Sequence, residues 1–333
     1  MSVELIDLTL VSDVDHVYIR SSDLPARYFV TYVFGPVPSR RLGLSLGVDL
    51  IPRKTCSYDC LYCQIGKTTC KAIEPKAYVP MEAVIAELDE TLAKVTPDYV
   101  TFSGSGEPTL HVELGRLIAY VKEKTGARVA VLTNGSLLYR PEVRERLLKA
   151  DMVMPTLSTV REQTFRAIHH PHDDLSLTGI IDGLRSLRKS YRGQLFIEVM
   201  LLAGFNDEEE EIEALRRVIL EIAPDRVQLN TVVRPPADVK AIPLDRKKLE
   251  YIKRVFGEGA EIIATAPIRE KQHLQVPLSA AVLEMARRRP VTVEDVAGAL
   301  DAPLHEVNET VKALVNKGDL RRQTHIGKDY YTG

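Results

Sequence analysis

Three cysteines stand within eight positions, Cys56-Ser57-Tyr58-Asp59-Cys60-Leu61-Tyr62-Cys63, in a chain of 333 residues that has four cysteines in all. Thiolates are soft ligands that suit iron–sulfur clusters or zinc. A triplet in one short loop can hold three corners of a four-iron cluster and leave the fourth iron open to a substrate or cofactor. Structural zinc takes four protein ligands. Cys70 could be the fourth, but CxxxCxxC followed by a single later cysteine lacks the paired knuckles of common zinc sites. Disulfides fit less well. The opening Met1-Ser2-Val3-Glu4-Leu5 is not a basic region leading into a long apolar run, so no signal peptide is expected. A chain of this size can also build a core without covalent staples.

Downstream, Gly106-Glu107-Pro108 falls at the end of a predicted strand, and Tyr62 immediately precedes the third cysteine. Together these residues resemble the signature of the radical S-adenosylmethionine (SAM) superfamily. The run Phe34-Gly35-Pro36-Val37-Pro38-Ser39-Arg40-Arg41-Leu42-Gly43, with Gly47-Val48-Asp49, resembles a narrower group, the Fe–S oxidoreductases related to the wyosine-synthase branch. The resemblance spans roughly 33–265. It implies one [4Fe–4S] cluster on Cys56, Cys60 and Cys63, with SAM chelating the fourth iron. Reductive cleavage of SAM would then give methionine and a 5′-deoxyadenosyl radical that abstracts hydrogen from a substrate. The resemblance also implies an external low-potential electron donor of the flavodoxin or ferredoxin type. Glu107 is the implied acceptor for the SAM ammonium, a charge-assisted bond. Gly104 and Gly106 would let that backbone approach the cofactor, Pro108 completes the motif, and Tyr62 would pack on the adenine. Asn134 and Ser158 resemble by position residues that contact the SAM carboxylate or ribose. One spare cysteine cannot supply a second three-cysteine site, so a second cluster is not expected.

These residues need a scaffold, and the hydrophobic pattern supplies one. Strands are predicted at 44–50, 99–102, 128–132, 152–157, 195–202 and 226–231, and helices at 81–94, 112–124, 141–149, 177–189, 207–221 and 245–256. A short strand at 261–264 and an edge strand at 14–20 are also expected. Strand–helix alternation argues an α/β fold with a parallel sheet and right-handed crossovers. Six units fall short of a closed eight-stranded barrel, and the resemblance implies a partial (β/α)6 TIM-like barrel. Functional residues then belong at the carboxyl ends of the strands. The cysteines follow the first strand, Glu107 the second, Asn134 the third and Ser158 the fourth. On the fifth, Glu198 is an acid in an apolar run; buried acids need partners, which makes it a catalytic candidate. The sixth offers the Leu229 backbone to adenine and Gln228 or Asn230 to substrate. Cys70 is a second catalytic candidate, with an auxiliary ligand or an ordinary thiol as alternatives. Arg40, Arg41 and Lys54 could bind phosphate or carboxylate, or form a solvated edge. Ile168-His169-His170-Pro171-His172 concentrates three of the eight histidines. Adjacent histidines usually point apart, so packing or substrate contact is expected ahead of a metal site.

After Pro267 the character changes. Helices are expected at 278–289, 293–300 (capped by Thr292) and 303–317, closed by Gly318, followed by a two-strand ribbon over 320–332. Three helices and a ribbon resemble a winged helix-turn-helix. The expected divisions are an N-terminal extension at 1–30, the barrel at 31–266, a linker at 267–277 and the winged-helix-like domain at 278–333. From Leu278 to Gly333 eight Lys plus Arg face eight Asp plus Glu, and the whole chain has a net charge of −2. Neither figure makes a global case for nucleic acid, so any such contact must be local. The ribbon carries Arg321, Arg322, His325 and Lys328, whereas the third helix carries Glu306 and Glu309. The substrate expectations are RNA, especially a tRNA base, then a protein or peptide side chain, then a small metabolite. A non-catalytic iron–sulfur sensor that binds DNA is the rival class. Composition and the absence of a long apolar run point to the cytoplasm and to no membrane partner.

Overall fold

The structure is a computed structural model that describes residues 31–39, 41–263 and 277–333. Arg40, the 1–30 extension with its edge strand, and 267–276 of the linker lie outside the described residues. Tyr32–Gly333 forms one compact unit.

The sheet begins with an antiparallel pair, β1 (Val33–Ser39) and β2 (Gly43–Val48). A two-residue pair follows in the cysteine loop, β3 (Thr55–Cys56) and β4 (Cys70–Lys71). Then come α1 (Met81–Leu92), β5 (Tyr99–Phe102), a 3-10 turn at Pro108–Leu110, α2 (Leu114–Lys124), β6 (Arg128–Thr133), α3 (Pro141–Leu147), β7 (Met152–Pro155), α4 (Glu162–His169), α5 (Leu177–Ser190), β8 (Gln194–Leu201), α6 (Glu209–Ile222), β9 (Arg226–Thr231), α7 (Arg246–Phe256) and β10 (Ala260–Ile262). The main sheet runs β1-β2-β5-β6-β7-β8-β9-β10. Every pair after β1–β2 is parallel. This is an α/β fold with a mostly parallel sheet, consistent with a partial barrel. The six expected strand units are present. β1 is an addition the sequence pattern did not separate, and β10 lies slightly earlier than expected.

All four residues of β5 are buried, as suits a parallel strand covered on both faces. On its outer side the sheet packs against helices through Leu117, Ile118, Val143, Leu184, Leu215 and Ile252. A separate cluster of Leu42, Tyr99, Ala130, Met152, Met154 and Phe196 gathers residues near the strands' amino ends. It floors the interior and leaves the carboxyl ends for chemistry. α4 was not expected. It is one short helix, and it ends on His170 in the left-handed conformation (φ 39°), where glycine or asparagine would have signalled a stop.

Beyond residue 276 come α8 (Leu278–Arg288), α9 (Val293–Leu300), α10 (Leu304–Lys317) and an antiparallel hairpin of β11 (Arg321–His325) and β12 (Lys328–Thr332). These elements have their own core of Val282, Met285, Val296, Val307, Val311 and Leu314. Thr292 and Asp295 form a capping box that starts α9, and Gly318 (φ 79°) ends α10. The hairpin turns through Ile326 and Gly327, both at positive φ. Polar contacts hold this part against the sheet. Tyr330 Oη donates to the Val233 carbonyl at 2.6 Å. Arg234 donates to the Pro290 carbonyl at 3.2 Å and meets Asp295 at 3.4 Å. Arg288 pairs with Asp49 at 3.0 Å and stacks its guanidinium over Phe34, 4.6 Å from the ring centroid.

Candidate active site

The cysteine loop is tied down on three sides. Lys54 enters it at φ 69° and donates its backbone N–H to Ser105 O at 2.9 Å. Asp59 N–H donates to His169 O and Leu61 N–H to Ile168 O, each at 2.9 Å, and His172 N–H donates to Ser57 O at 2.9 Å. Asn134 reaches in from the end of β6, donating from Nδ2 to Ser57 Oγ at 2.8 Å and to Cys56 Sγ at 3.5 Å. Cys56, Cys60 and Cys63 all open onto one cavity of about 1470 Å³, with Tyr62, Gly104, Gly106, Glu107, Asn134, Glu198 and Asn230 also in its wall.

Burial pushes the Cys56 thiol up to about 12, with the Glu107 carboxylate adding to the effect. Cys60 is raised well above the usual range by burial and then by Cys56 and Cys63, and Cys63 is raised by burial. Beside them the Lys54 ammonium is buried and has no hydrogen-bond partner. Burial lowers its pKa, while Cys63 pulls the other way. Such thiols become ligands by giving up protons to a metal centre whose positive charge offsets the desolvation. Thiolates formed there would in turn compensate the Lys54 ammonium. Among the described residues no three His, Cys, Asp or Glu side chains converge as one metal ion requires. A cluster takes one thiolate per iron, and three thiols around one cavity can serve three irons, so the donor set fits a four-iron cluster.

Glu107 is 2% exposed. Its Oε1 accepts from Thr109 N–H at 3.0 Å and from the Thr109 and Thr133 hydroxyls at 2.6 Å each, and its Oε2 accepts from Asn134 N–H at 2.7 Å. None of these donors is charged. Burial raises the Glu107 pKa against their combined pull. A buried carboxylate with a lightly used Oε2 at a cavity wall is suited to a cationic group. Pro108 continues as the first residue of the 3-10 turn that Glu107 caps. It is buried and lies outside the cavity wall.

The structure gives the two glycines another reason than the one expected. A Cβ on Gly104 (φ 136°) would meet the Asp49 carboxyl carbon at 2.4 Å, and one on Gly106 would lie 1.9 Å from the Thr55 carbonyl oxygen. The space they save is filled by protein, although both residues also line the cavity. Gly106→Ala is expected to lower iron uptake and SAM affinity together. Iron analysis and equilibrium dialysis on the variant check this.

Besides Pro108, three expected site residues do not reach the cavity. Ser158 is buried and fully engaged, its Oγ accepting from Met200 N–H at 3.1 Å and its carbonyl from Asn206 Nδ2 at 2.8 Å. Leu229 points into the helix-facing core, and its carbonyl accepts from Ile263 N–H at 3.0 Å. Its neighbour Asn230 is the one that faces inward. Cys70 is exposed on β4, paired with Thr55 on the outer side of the loop and away from the cavity.

Glu198 does face the cavity, with the partners a half-buried acid needs. Arg41 Nη2 lies 3.1 Å from its Oε1, Asn230 Nδ2 donates to it at 3.0 Å, and the Thr156 hydroxyl donates to Oε2 at 3.4 Å. Two features escaped the sequence. Asp49 Oδ2 accepts from Ser105 N–H at 3.0 Å and Ser105 Oγ at 2.6 Å as well as from Arg288, so it joins the Gly104–Glu107 loop to α8. His325, Ile326, Lys328 and Tyr330 of the hairpin line the same cavity as the cysteines. An acid directly after β2 was visible in Gly47-Val48-Asp49, but its distant partner was not.

Residues 50–215 match the model of the Radical SAM superfamily. A UPF0026 protein of Methanocaldococcus jannaschii is 33% identical over 312 residues, covering 91% of this chain and 96% of that protein. A protein named GTPase Obg from Brachyspira hyodysenteriae is 37% identical over 295 residues, which is 87% of this chain but 43% of that one. The chain thus spans less than half of that relative. Its Gly66-Lys67-Thr68 has Leu61 where a phosphate-binding loop requires its first glycine. In fold, a radical SAM methyltransferase from Sphaerobacter thermophilus superposes with a TM-score of 0.52 at 17% identity, over 67% of each chain.

Proposed function

The chain belongs to the UPF0026 family of the radical SAM superfamily, and from that membership we propose that Cys56, Cys60 and Cys63 hold its [4Fe–4S] cluster and that Glu107 receives the SAM ammonium. It is a radical SAM enzyme, using a [4Fe–4S] cluster and SAM. The observation that carries the assignment is the meeting on one cavity of three half-buried thiols and a buried carboxylate that has no cationic partner among the described residues. Held by Cys56, Cys60 and Cys63, the cluster with SAM would supply one-electron reductive chemistry ending in hydrogen abstraction from a substrate. The chain's own residues supply position and dryness. Asn134 holds the Cys56 sulfur from one side, Tyr62 offers a ring to the adenine, and the apolar floor around Met154 and Phe196 keeps water from the closed end. Glu198, fixed by Arg41 and Asn230, faces the substrate side.

Radical SAM enzymes generally need an external electron donor, and a flavodoxin or ferredoxin type suits this one. An oxygen-sensitive cluster suits the reducing cytoplasm. Among the described residues no helix is long and apolar enough to cross a membrane.

For the substrate we infer RNA, presented by residues 278–333 acting as a winged-helix domain with its own core, separate from the barrel at 31–266. Support comes from the hairpin: Arg321 is exposed on it, and Lys328 and His325 line the cavity that holds the cysteines. An RNA strand gripped along the hairpin would therefore reach the cysteines. Binding should fall steeply with salt, and Arg321→Ala should weaken it across all sequences tested. Filter binding at low and high salt measures both. No retention of RNA at low salt would exclude RNA and leave a protein or peptide substrate.

The chemistry itself is tested by 5′-deoxyadenosine production from anaerobically reconstituted protein, SAM and a strong reductant. Production is expected, and Cys60→Ala should abolish it. A full cluster that never cleaves SAM would overturn the enzyme assignment in favour of the DNA-binding sensor.

A further inference from the structure

α4 delivers one side chain to the cysteine loop that neither the motif nor the proposed chemistry uses. His169 is its last residue, and the left-handed turn at His170 sends the two histidines apart. His170 is exposed, while His169 is 2% exposed. Its Nδ1 lies 3.4 Å from Cys60 Sγ and 3.3 Å from Tyr62 Oη. The imidazole is boxed by Tyr58, Phe165 and Tyr62, with ring centroids at 5.1, 5.5 and 5.6 Å. The backbone bonds from Asp59 and Leu61 to His169 and Ile168 stitch both sides of the contact. The ring therefore cannot leave Cys60 unless the loop leaves α4.

A mostly aromatic box of this kind would be filled at lower desolvation cost by leucine or phenylalanine. An imidazole carries an N–H on Nδ1 or on Nε2, and only the first faces the sulfur. An iron-bound thiolate has no proton and can only accept. The contact is a hydrogen bond only when the proton sits on Nδ1.

We propose that His169 donates from Nδ1 to the Cys60 sulfur and thereby sets the reduction potential of the cluster. This rests on the assignment of Cys60 as a cluster ligand. His169 is a positioning residue in this scheme and touches neither SAM nor substrate. An N–H dipole aimed at a ligand sulfur stabilises the more electron-rich state, so it raises the potential. The dry aromatic surroundings strengthen that dipole. The bond would ease electron entry from a weak donor.

The test is a redox titration of the reconstituted full chain followed by electron paramagnetic resonance. His169→Leu removes the donor and should shift the midpoint to lower potential at unchanged iron and sulfide content. His169→Asn places an amide N–H near the Nδ1 position and should return the midpoint toward that of the unaltered protein. Equal midpoints for the leucine variant and the unaltered protein would overturn the proposal. Should the leucine variant fail to take up iron, pulsed resonance on the unaltered, reduced protein labelled with 15N-histidine decides the matter. A histidine nitrogen coupled to the cluster is expected, and its absence overturns the idea. Undiminished iron in Cys60→Ala would instead sink the ligand assignment, which separates the two failures.

Discussion

Replacing Glu107 with alanine is expected to abolish 5′-deoxyadenosine formation and to destabilise the fold by about 2–4 kcal/mol. The carboxylate takes four hydrogen bonds from Thr109, Thr133 and Asn134 in a buried pocket. Removing it strands all four donors where water has little access, and each orphan costs of order 1 kcal/mol or more. The loss should therefore appear first in a denaturant midpoint measured without SAM. Glu107→Gln separates the structural from the chemical share. The amide oxygen can still serve Thr109 and Thr133, but the amide nitrogen would face the Asn134 N–H and carries no charge for an ammonium. This variant should fold, hold iron and bind SAM at least about tenfold more weakly, since roughly 1.4 kcal/mol of charge-assisted bonding is at stake. Equilibrium dialysis with labelled SAM is the direct check. Unchanged affinity in the glutamine variant would remove Glu107 from the ammonium site.

The second large effect is expected at a pair that the chain brings together from 239 residues apart. The side chains of Asp49 and Arg288 are 7% and 19% exposed. Arg288→Ala leaves Asp49 with only the Ser105 and Ile51 donors. The cost should be about 2–3 kcal/mol, below that of breaking a fully enclosed pair because water reaches the arginine. Its pH dependence has a definite sign. Burial raises the Asp49 pKa, and Arg288 opposes that rise. Without Arg288 the folded-state pKa climbs further above the unfolded value. A carboxyl raised in this way favours the fold most below its unfolded pKa, and that contribution is lost as pH rises through the folded one. The stability difference between Arg288→Ala and the unaltered protein should thus be largest near neutrality and shrink in acid. Urea midpoints across that range would show it. Faster hydrogen exchange through α8–α10, with weaker SAM binding, would follow from releasing α8 and Ser105 together.

Local chemistry was easier to read from the chain than distant pairing. The cysteine triplet and Glu107 were visible because each is a short-range pattern beside a strand end. The strands themselves were visible because apolar runs alternate with helical periodicity. Leu229 and Ser158 show where such reading stops: it found the right strand ends but not the neighbours, Ile263 at the Leu229 carbonyl and Met200 and Asn206 at Ser158, that already occupy them. In β9 the side chain that faces the cavity is Asn230, and Leu229 packs against helices. Cys70 stood between a catalytic candidate and an ordinary thiol, and its exposed place on β4, outside the cavity wall, suits the ordinary thiol. The role of His169 hangs on a left-handed turn at His170, a residue that enters that region more often than most but announces it far less plainly than glycine. The Asp49–Arg288 pair has no local signature at all. Its partners belong to elements that meet only once the last helices close on the sheet.

The contact between Gly106 and Thr55 has a consequence on a longer timescale. The carbonyl of Thr55 occupies the place of a side chain at 106 and also accepts the Glu107 N–H at 3.4 Å. The loop that bears the thiols and the loop that bears Glu107 thus share one surface with no slack between them. In evolutionary terms they are a single heritable piece: a lineage cannot reshape one without a matching change in the other. Divergence among descendants is then expected in the far wall of the cavity, around Ile326 and Lys328, where a residue can change without disturbing a second loop. Substrate preference would be free to wander while the radical-generating end stays fixed.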